Sequence, residues 1–170
     1  MPGWRLREFH DDDLDGILHL WGAVNAAGIE PVYGLAEVLA SCQKDHAIVA
    51  VHGDEVVGAA VGRAAHAQGW IVFCATADGW HDRGIGASML AALEKRMAPH
   101  GLSKLSALMS ESQTRVDAFL SQGFEVKSRL RYFERRIPVQ REELGALSEL
   151  GGRVLPRGLW NAVGGMQYEK

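Results

Sequence analysis

The chain lacks the cysteine content of disulfide-rich or zinc-bound proteins and the long apolar runs of membrane proteins. Its two cysteines, Cys42 and Cys74, are far apart and lack metal-ligand spacing, which argues against a disulfide framework or a zinc fold. No apolar run approaches the ~20 residues that span a bilayer, and residues 1–5 lack the charged-then-apolar order of a signal peptide. We therefore predict a cytoplasmic protein with no membrane partner.

An excess of basic residues is missing as well. The 18 Lys and Arg residues are outnumbered by 21 Asp and Glu residues, for a formal net charge of −3 at pH 7. A nucleic-acid-binding domain is normally basic, and the row Arg129, Arg131 and Arg135 is more typical of the solvated side of a strand. We expect no nucleic-acid partner.

Several ligand-binding motifs are also absent. A Walker loop needs Gly-Lys-Ser/Thr, which occurs nowhere, and the third glycine of a dinucleotide fingerprint is replaced by Met89. A Gly-x-Ser-x-Gly nucleophile elbow is absent at Ser88 too, because Leu90 stands where the second glycine is needed. The run Asp11–Asp13 is more typical of the acidic first turn of a helix than of a metal site. We predict no metal.

What the sequence does contain is centred on residues 70–97. Residues 71–75, Ile-Val-Phe-Cys-Ala, form an apolar run that predicts a buried strand. The glycine corner 83–86 follows, and apolar residues then recur at helical spacing from Met89 to Met97. A helix start offers unpaired backbone N–H groups and the positive end of a dipole. The glycines let a ligand approach the backbone, so this segment predicts a phosphate-binding corner.

The rest of the chain predicts strands and helices around that segment. Patterning predicts a strand at 5–9, two helices, a hairpin over 47–61, a strand over 102–109, a helix over 113–121 and a long strand over 124–137. At 170 residues the chain has room for one domain, which we place at 1–137, and a C-terminal extension or linker at 138–170.

Three segments resemble the GNAT superfamily of N-acetyltransferases. Residues 81–86, His-Asp-Arg-Gly-Ile-Gly, are similar to its Gln/Arg-x-x-Gly-x-Gly/Ala signature for acetyl-CoA. Residues 71–75 resemble the matching strand of the histone-acetyltransferase branch, and 118–124 resemble a later motif that ends in Gly-Phe. The resemblance implies an α/β (α+β) fold with a mixed, mostly antiparallel sheet of six to seven strands. Helices would cover both faces, and two central strands would splay apart.

The resemblance also implies a co-substrate, acetyl-CoA, and the residues that hold it. The splayed strands would hold the pantetheine arm, the corner backbone would hold the pyrophosphate, and the Thr76 N–H would polarise the acetyl carbonyl. The implied acetyl-CoA-binding residues are Cys74, Ala75, Thr76, His81, Asp82, Arg83, Gly84, Ile85, Gly86, Ala87, Ser112 and Phe119.

The acid and base usual in such enzymes are missing from the matching positions. Trp70 stands where the histone branch has a glutamate base, and Phe119 stands where many relatives have a tyrosine acid. Neither side chain can exchange a proton. Candidate replacements are Asp78 and Glu111, which follow the two splayed strands, and His66 on the preceding loop.

Two functions therefore stay open. The first is an acyl-CoA-dependent N-acyltransferase that passes acetyl directly to a primary amine of a small molecule or protein. The second is a non-catalytic acetyl-CoA sensor within a larger protein, which gains weight because residues 159–170 resemble the segment leading into AAA-type ATPase modules. Otherwise the extension would dock on the domain or build a homodimer. Glu30 and Glu37 in the first two helices would suit a cationic acceptor.

Overall fold

The computed structural model describes residues 3–137, which form five strands and four α-helices. In chain order these are β1 (Arg5–Glu8), α1 (Leu14–Ala26), α2 (Leu35–Lys44), β2 (His46–His52), β3 (Glu55–Ala65), β4 (Gln68–Thr76), α3 (Ile85–Met97), β5 (Lys104–Ala107) and α4 (Asp117–Ser121). Up to α4 the order is the one predicted. The extension predicted over 138–170 lies outside the described residues.

The five strands form one sheet in the order β1-β2-β3-β4-β5. Only β4 and β5 pair in parallel, and all other neighbours are antiparallel. The mixed, mostly antiparallel sheet is therefore confirmed, but the prediction of six to seven strands is wrong for the described residues.

The missing strand is the one predicted over residues 124–137. The described residues after α4 contain neither helix nor strand. The apolar side chains of Val126, Leu130 and Phe133 are 81%, 73% and 85% exposed. Alternating polarity specifies a strand only where one face is buried, and no such burial is present here.

The helices cover both faces of the sheet, as predicted. On one face α1 and α2 pack through Ile17, Leu20 and Val38 against apolar residues of β2, β3 and β4. On the other face α3 buries an almost continuous apolar stripe, made up of Ile85, Met89, Leu90, Leu93 and Met97. The spacing of this stripe is the helical period read from the sequence.

Strand β4 contains a β-bulge near the point where its pairing with β5 ends. Val61 of β3 lies opposite Phe73, whereas the next residue lies opposite Ile71, so Val72 is an extra residue. The parallel pairing of β4 with β5 also stops at Ile71, opposite Ala107. Bulges bend and re-aim a strand. The two strands thus stop pairing at the bulge, as the resemblance implies.

The aspartate run forms a 3-10 turn, Asp11–Asp13, just before α1. Asp13 is buried and accepts hydrogen bonds from Arg7 Nη1 at 2.6 Å and Nη2 at 2.7 Å, and from the His10 N–H at 2.8 Å. Burial alone would raise the pKa of Asp13, but these hydrogen bonds and the charge of Arg7 outweigh it and hold the pKa below its usual value. The run therefore begins a helix, as predicted.

Backbone contacts divide the chain into two units, residues 1–125 and 126–170. The sheet and all described helices lie in the first unit. In the described part of the second, the Tyr132 hydroxyl donates to Glu134 Oε2 at 3.2 Å. Within residues 3–137, no helix combines the length and hydropathy that crossing a bilayer requires.

Candidate functional site

The glycine corner forms the N-terminus of α3. Gly84 is the N-cap residue with φ of +74°, and the helix begins at Ile85. Asp82 also has a positive φ, +61°, whereas Arg83 between them does not. Left-handed residues in such a turn aim successive N–H groups into one concavity, and the first helical turn adds N–H groups without intrahelical partners. The corner therefore has backbone geometry that favours an anion, and anion binding there stays a prediction.

Gly84 and Gly86 are glycines for different reasons. A Cβ at Gly84 would meet nothing within 4 Å, but the left-handed backbone there disfavours other residues. A Cβ at Gly86 would lie 2.9 Å from the Cβ of Ala118 in α4. Gly86 thus lets α4 approach α3, a packing role that adds to the open backbone expected from the sequence.

Aromatic and basic side chains surround the corner. The Arg83 guanidinium lies 4.6 Å from the centroid of the Trp80 ring, and the His52 ring lies 4.8 Å from the same ring. His81 Nε2 is 3.4 Å from Asp78 Oδ1. Stacking on an aromatic face holds a guanidinium without consuming its N–H donors. Arg83 can therefore offer donors to an anion at the corner.

The main chain of β4 is open on the side that β5 leaves. The Ala77 N–H donates to Val57 O of β3 at 2.9 Å, which makes residues 77 and 57 a hydrogen-bonded pair. In an antiparallel ladder such pairs alternate with non-hydrogen-bonded ones. Thr76 and Cys74 are opposite Gly58 and Ala60 in the alternate pairs, so their amides point away from β3. No described strand pairs with them on that side.

A groove runs through the sheet where β4 and β5 separate. We call it the β4–β5 groove; it has a volume of about 90 Å³ and is lined by residues from both cores. Its lining includes Trp21, Tyr33, Val72 and Phe73 from the α1 face, Ile71, Cys74, Ala107 and Phe119 from the α3 face, and Glu30, Leu108, Met109, Ser110 and Gln113 from the segments after α1 and β5. Two predicted site residues, Cys74 and Phe119, are thus brought together here.

Gln113 is a groove residue that the sequence reading missed. Its Oε1 is buried and has no hydrogen-bond partner among the described residues, while its Nε2 donates to the Arg115 carbonyl at 3.3 Å. A buried acceptor without a donor is costly. This oxygen is therefore a ready acceptor for a ligand N–H in the groove.

The predicted residues Ala75, Thr76, Asp78, Glu111 and Ser112 lie outside the described lining of the groove. Thr76 ends β4 and is half-buried, whereas the Ala75 side chain packs into the α1-face core. Ser112 Oγ accepts a hydrogen bond from the Glu30 N–H at 3.2 Å, which ties the loop after β5 to the loop after α1. Asp78 and Glu111 are exposed and are not among the described residues that line the groove. Their predicted roles stay predictions.

Both cysteine thiols are held in the protonated form. Burial raises the pKa of Cys74, and likewise of Cys42, to about 12. A thiol with so high a pKa is a poor nucleophile at neutral pH. Cys74 can therefore line the groove without attacking a thioester there.

A second cavity of about 220 Å³ adjoins the groove. This side cavity is lined by Tyr33, Arg63, Trp70, Val72 and Leu108. Three of these residues, Tyr33, Val72 and Leu108, also line the groove, so the two spaces are neighbours. Burial raises the pKa of Tyr33, the Glu37 carboxylate adds to the rise and Arg63 opposes it, so the phenol is neutral at pH 7.

No metal centre is apparent in the part of the chain that the structure describes. Residues 3–137 contain no group of three or more His, Cys, Asp or Glu side chains placed to hold an ion.

These features agree with a known family. The model of the acetyltransferase (GNAT) family matches residues 17–124, which run from within α1 to just beyond α4 and include the corner and the groove. The chain belongs to this family. No curated protein matches the chain in sequence.

Solved structures support the fold. An N-acetylglutamate synthase from Neisseria gonorrhoeae, in complex with coenzyme A and N-acetyl-glutamate, is 21% identical, with a TM-score of 0.61 over 74% of this chain; the match spans 29% of that longer chain. An aminoglycoside acetyltransferase from an uncultured soil metagenomic sample is 14% identical, with a TM-score of 0.61, and the match covers 79% of this chain and 97% of that one. Ard1 from Thermoplasma volcanium is 15% identical, with a TM-score of 0.62 and coverage of 74% and 85%.

Proposed function

We propose that the protein is an acetyl-CoA-dependent N-acetyltransferase that transfers acetyl to a primary amine by direct attack. The observation that carries the proposal is the open main-chain edge of β4 beyond Ile71, which leads towards the N-terminus of α3. An extended amide-containing chain can add to such an edge as a further strand. An anion at its far end would lie at the glycine corner.

Acetyl-CoA has the groups that this arrangement would bind. Its pyrophosphate would accept hydrogen bonds from the amides of residues 82–87, with His81 and Arg83 beside them. Its pantetheine arm would pair with the open main-chain edge of β4, and one of its amides would donate to Gln113 Oε1, which lacks a partner among the described residues. Ser112 and Phe119 would border the arm, since Phe119 lines the groove.

The transfer needs one bond to form and one to break. The neutral amine nitrogen attacks the thioester carbonyl, the C–S bond breaks, and the amine proton is lost while the CoA thiolate gains one. The Thr76 N–H, which points to the open edge, would donate to the carbonyl oxygen as negative charge develops on it. Asp78 and Glu111 are the side chains we propose to accept the proton, directly or through water.

A non-catalytic acetyl-CoA sensor is the second candidate function. It is favoured by the surroundings of the two positions where an acid and a base are usual. Phe119 is buried and packs edge-to-face on Phe124 with ring centroids 5.3 Å apart. Trp70 lines the side cavity. Neither residue can exchange a proton, so cofactor binding without turnover is a distinct outcome.

The test combines calorimetry with an assay of thiol release. Acetyl-CoA is titrated into the wild type and Gly84→Asp, which places a carboxylate at the proposed pyrophosphate site. Gly101→Asp is the matched control, because Gly101 is also left-handed, with φ of +70°, and a Cβ there meets nothing within 4 Å. We expect micromolar binding in the wild type and control and a loss of at least about tenfold in Gly84→Asp.

Release of CoA is then followed with a panel of amines. Amine-dependent release would support the transferase, and binding without release on any amine would favour the sensor. A wild type that does not bind acetyl-CoA would contradict both functions.

A further inference from the structure

The described lining of the β4–β5 groove contains a single charged side chain, that of Glu30. Its exposed carboxylate has no hydrogen-bond or ion-pair partner among the described residues, since only its backbone N–H is engaged. Tyr33 and Cys74 also line the groove, but burial raises the pKa of each, so both are neutral at pH 7. The groove therefore offers one negative charge to a ligand.

The chain after α1 holds Glu30 in place. Gly28, with φ of +75°, follows the end of α1 in a left-handed turn, and residues 29–33 after it all line the groove. The Glu30 N–H donates to Ser112 Oγ at 3.2 Å, and Ser112 Oγ is 2.8 Å from Ser110 Oγ. The carboxylate is thus carried by a wall that is tied to the segment after β5.

An acceptor has its own way into the groove. The proposed pantetheine site uses Cys74 and Phe119, which pack on the α3 face of the sheet. The wall with Glu30 follows α1, whose Trp21 and Val24 line the groove from the opposite face. This side is largely apolar apart from the carboxylate. It therefore suits an aliphatic chain that ends in a cation.

The position of Glu30 argues for an acceptor with two nitrogens. On β4 the described lining extends to Cys74, whereas the thioester is proposed to lie at the Thr76 N–H. Two strand residues span about 7 Å, so a spacer is needed between the groove and the reacting carbonyl. A carboxylate in contact with the reacting nitrogen would also favour its ammonium form, which cannot attack. A second ammonium group, separated by a spacer, satisfies the carboxylate without this conflict.

We propose that the acceptor is an aliphatic diamine, and that Glu30 binds the ammonium group that does not react. This assignment rests on the proposed function and names its substrate class. The other nitrogen, once neutral, attacks the thioester carbonyl. A C–N bond forms, the C–S bond breaks, the nitrogen gives its proton to a base or to solvent, and the CoA thiolate takes up a proton. Glu30 is thus a specificity-determining residue whose ion pair persists through the reaction.

The first test compares amines that differ at one end. Butane-1,4-diamine has two ammonium groups, pentylamine replaces one of them by a methyl group, and 4-aminobutyrate has a carboxylate at that end. Hexane-1,6-diamine and heptylamine repeat the comparison with a longer spacer. We expect kcat/KM for the better diamine to exceed that of its matched monoamine by about fivefold or more, with a margin that narrows as salt is added. A preference for the monoamines or for 4-aminobutyrate would overturn the acceptor class and leave the transferase intact.

Variants of Glu30 test the ion pair itself. Glu30→Gln should raise KM for the better diamine by about fivefold and leave kcat, and KM for pentylamine, unchanged, because the contact is the same in the ground and transition states. Glu30→Lys should weaken the diamine further and improve 4-aminobutyrate. Glu94→Gln is the matched control, because Glu94 is exposed on α3 and lies outside the described lining of the groove. An equal effect of Glu30→Gln on diamine and pentylamine would contradict a specificity role.

A binding measurement separates this assignment from the proposed function. Each diamine is titrated calorimetrically into protein saturated with CoA, which has no acetyl group to transfer. Binding that is retained in Glu94→Gln and weakened in Glu30→Gln supports the site, whereas equal affinity in both variants would refute the role of Glu30. If acetyl-CoA binds and neither diamine does, the acceptor class is wrong. A wild type that does not bind acetyl-CoA refutes the proposed function instead.

Discussion

Individual residues at the corner show how one glycine motif can meet two separate needs. Gly84 supplies a left-handed turn, and Gly86 supplies space for Ala118. The first need is local, because glycine adopts a positive φ without steric cost. The second is a tertiary contact between α3 and α4, which the sequence motif does not reveal.

At the same scale, the ion pair between Asp13 and Arg7 predicts how the free energy of unfolding depends on pH. The folded-state pKa of Asp13 is lowered, so its stabilising contribution is complete above the unfolded pKa, near 4, and is lost as the pH falls through the folded value. We expect Asp13→Asn to reduce the free energy of unfolding by about 1–3 kcal/mol at pH 6. The difference from wild type should shrink below about pH 4.

Urea denaturation at a series of pH values measures this effect. Asp11→Asn is the control, since Asp11 is exposed and lies in the same 3-10 turn. A difference between wild type and Asp13→Asn that stays constant from pH 6 to about pH 2 would show that the ion pair does not carry it.

At the scale of elements, α3 lies close to the sheet because glycines face it. A Cβ at Gly62 of β3 would lie 2.7 Å from Met97 Sδ and 3.1 Å from Leu93 Cδ2. A Cβ at Gly58 would meet Ile85 and Met89 at 3.1 Å. Bulkier residues at these positions would push the helix, and with it the corner at its N-terminus, away from β4.

Alanine substitutions in two glycines should therefore have opposite effects. Gly62→Ala is expected to lower the free energy of unfolding by about 1–3 kcal/mol through overpacking. Gly22→Ala should raise it by about 0.5–1 kcal/mol, because Gly22 lies in α1, where a Cβ meets nothing within 4 Å. Denaturation midpoints of the two variants provide the comparison. A stabilised Gly62→Ala would mean that α3 can shift without cost.

Local signals explain which elements could be predicted from the sequence. The glycine turn before α3 and the helix itself depend on glycine spacing and helical periodicity, and the sequence predicted both. Residues 124–137 carry an equally clear alternation, yet no strand forms among them. Strand formation needs a partner edge, which is a property of the tertiary structure and not of the segment.

The candidate site was likewise only partly predictable from the sequence. The groove needs Cys74 and Phe119, which the motifs predict, but also Gln113, which no motif marks. Arg63 in β3 donates a hydrogen bond to Glu37 in α2, which lies 26 residues earlier in the sequence. The sequence suggested Glu37 as a residue that would suit a cationic acceptor, and in the structure its carboxylate accepts a hydrogen bond from Arg63.

For the whole molecule, the proposed function predicts stabilisation by its co-substrate. A ligand that binds only the folded state adds about 2.7 kcal/mol to the free energy of unfolding at 100 times its Kd. We expect acetyl-CoA to raise the thermal midpoint of the wild type and of Gly101→Asp. Gly84→Asp should show a much smaller shift at the same concentration. Equal shifts in all three proteins would show that acetyl-CoA does not bind at the corner.

The open edge of β4 has a consequence for how this protein tolerates change. The donors there are main-chain amides at positions 74 and 76, and their direction is set by the ladder with β3 and the bulge at Val72. Every amino acid but one brings the same N–H to a strand, so exchanging these side chains leaves the donors in place. Proline alone deletes the amide. The proposed recognition edge is thus set by the backbone. The neighbouring side chains can vary without removing its donors.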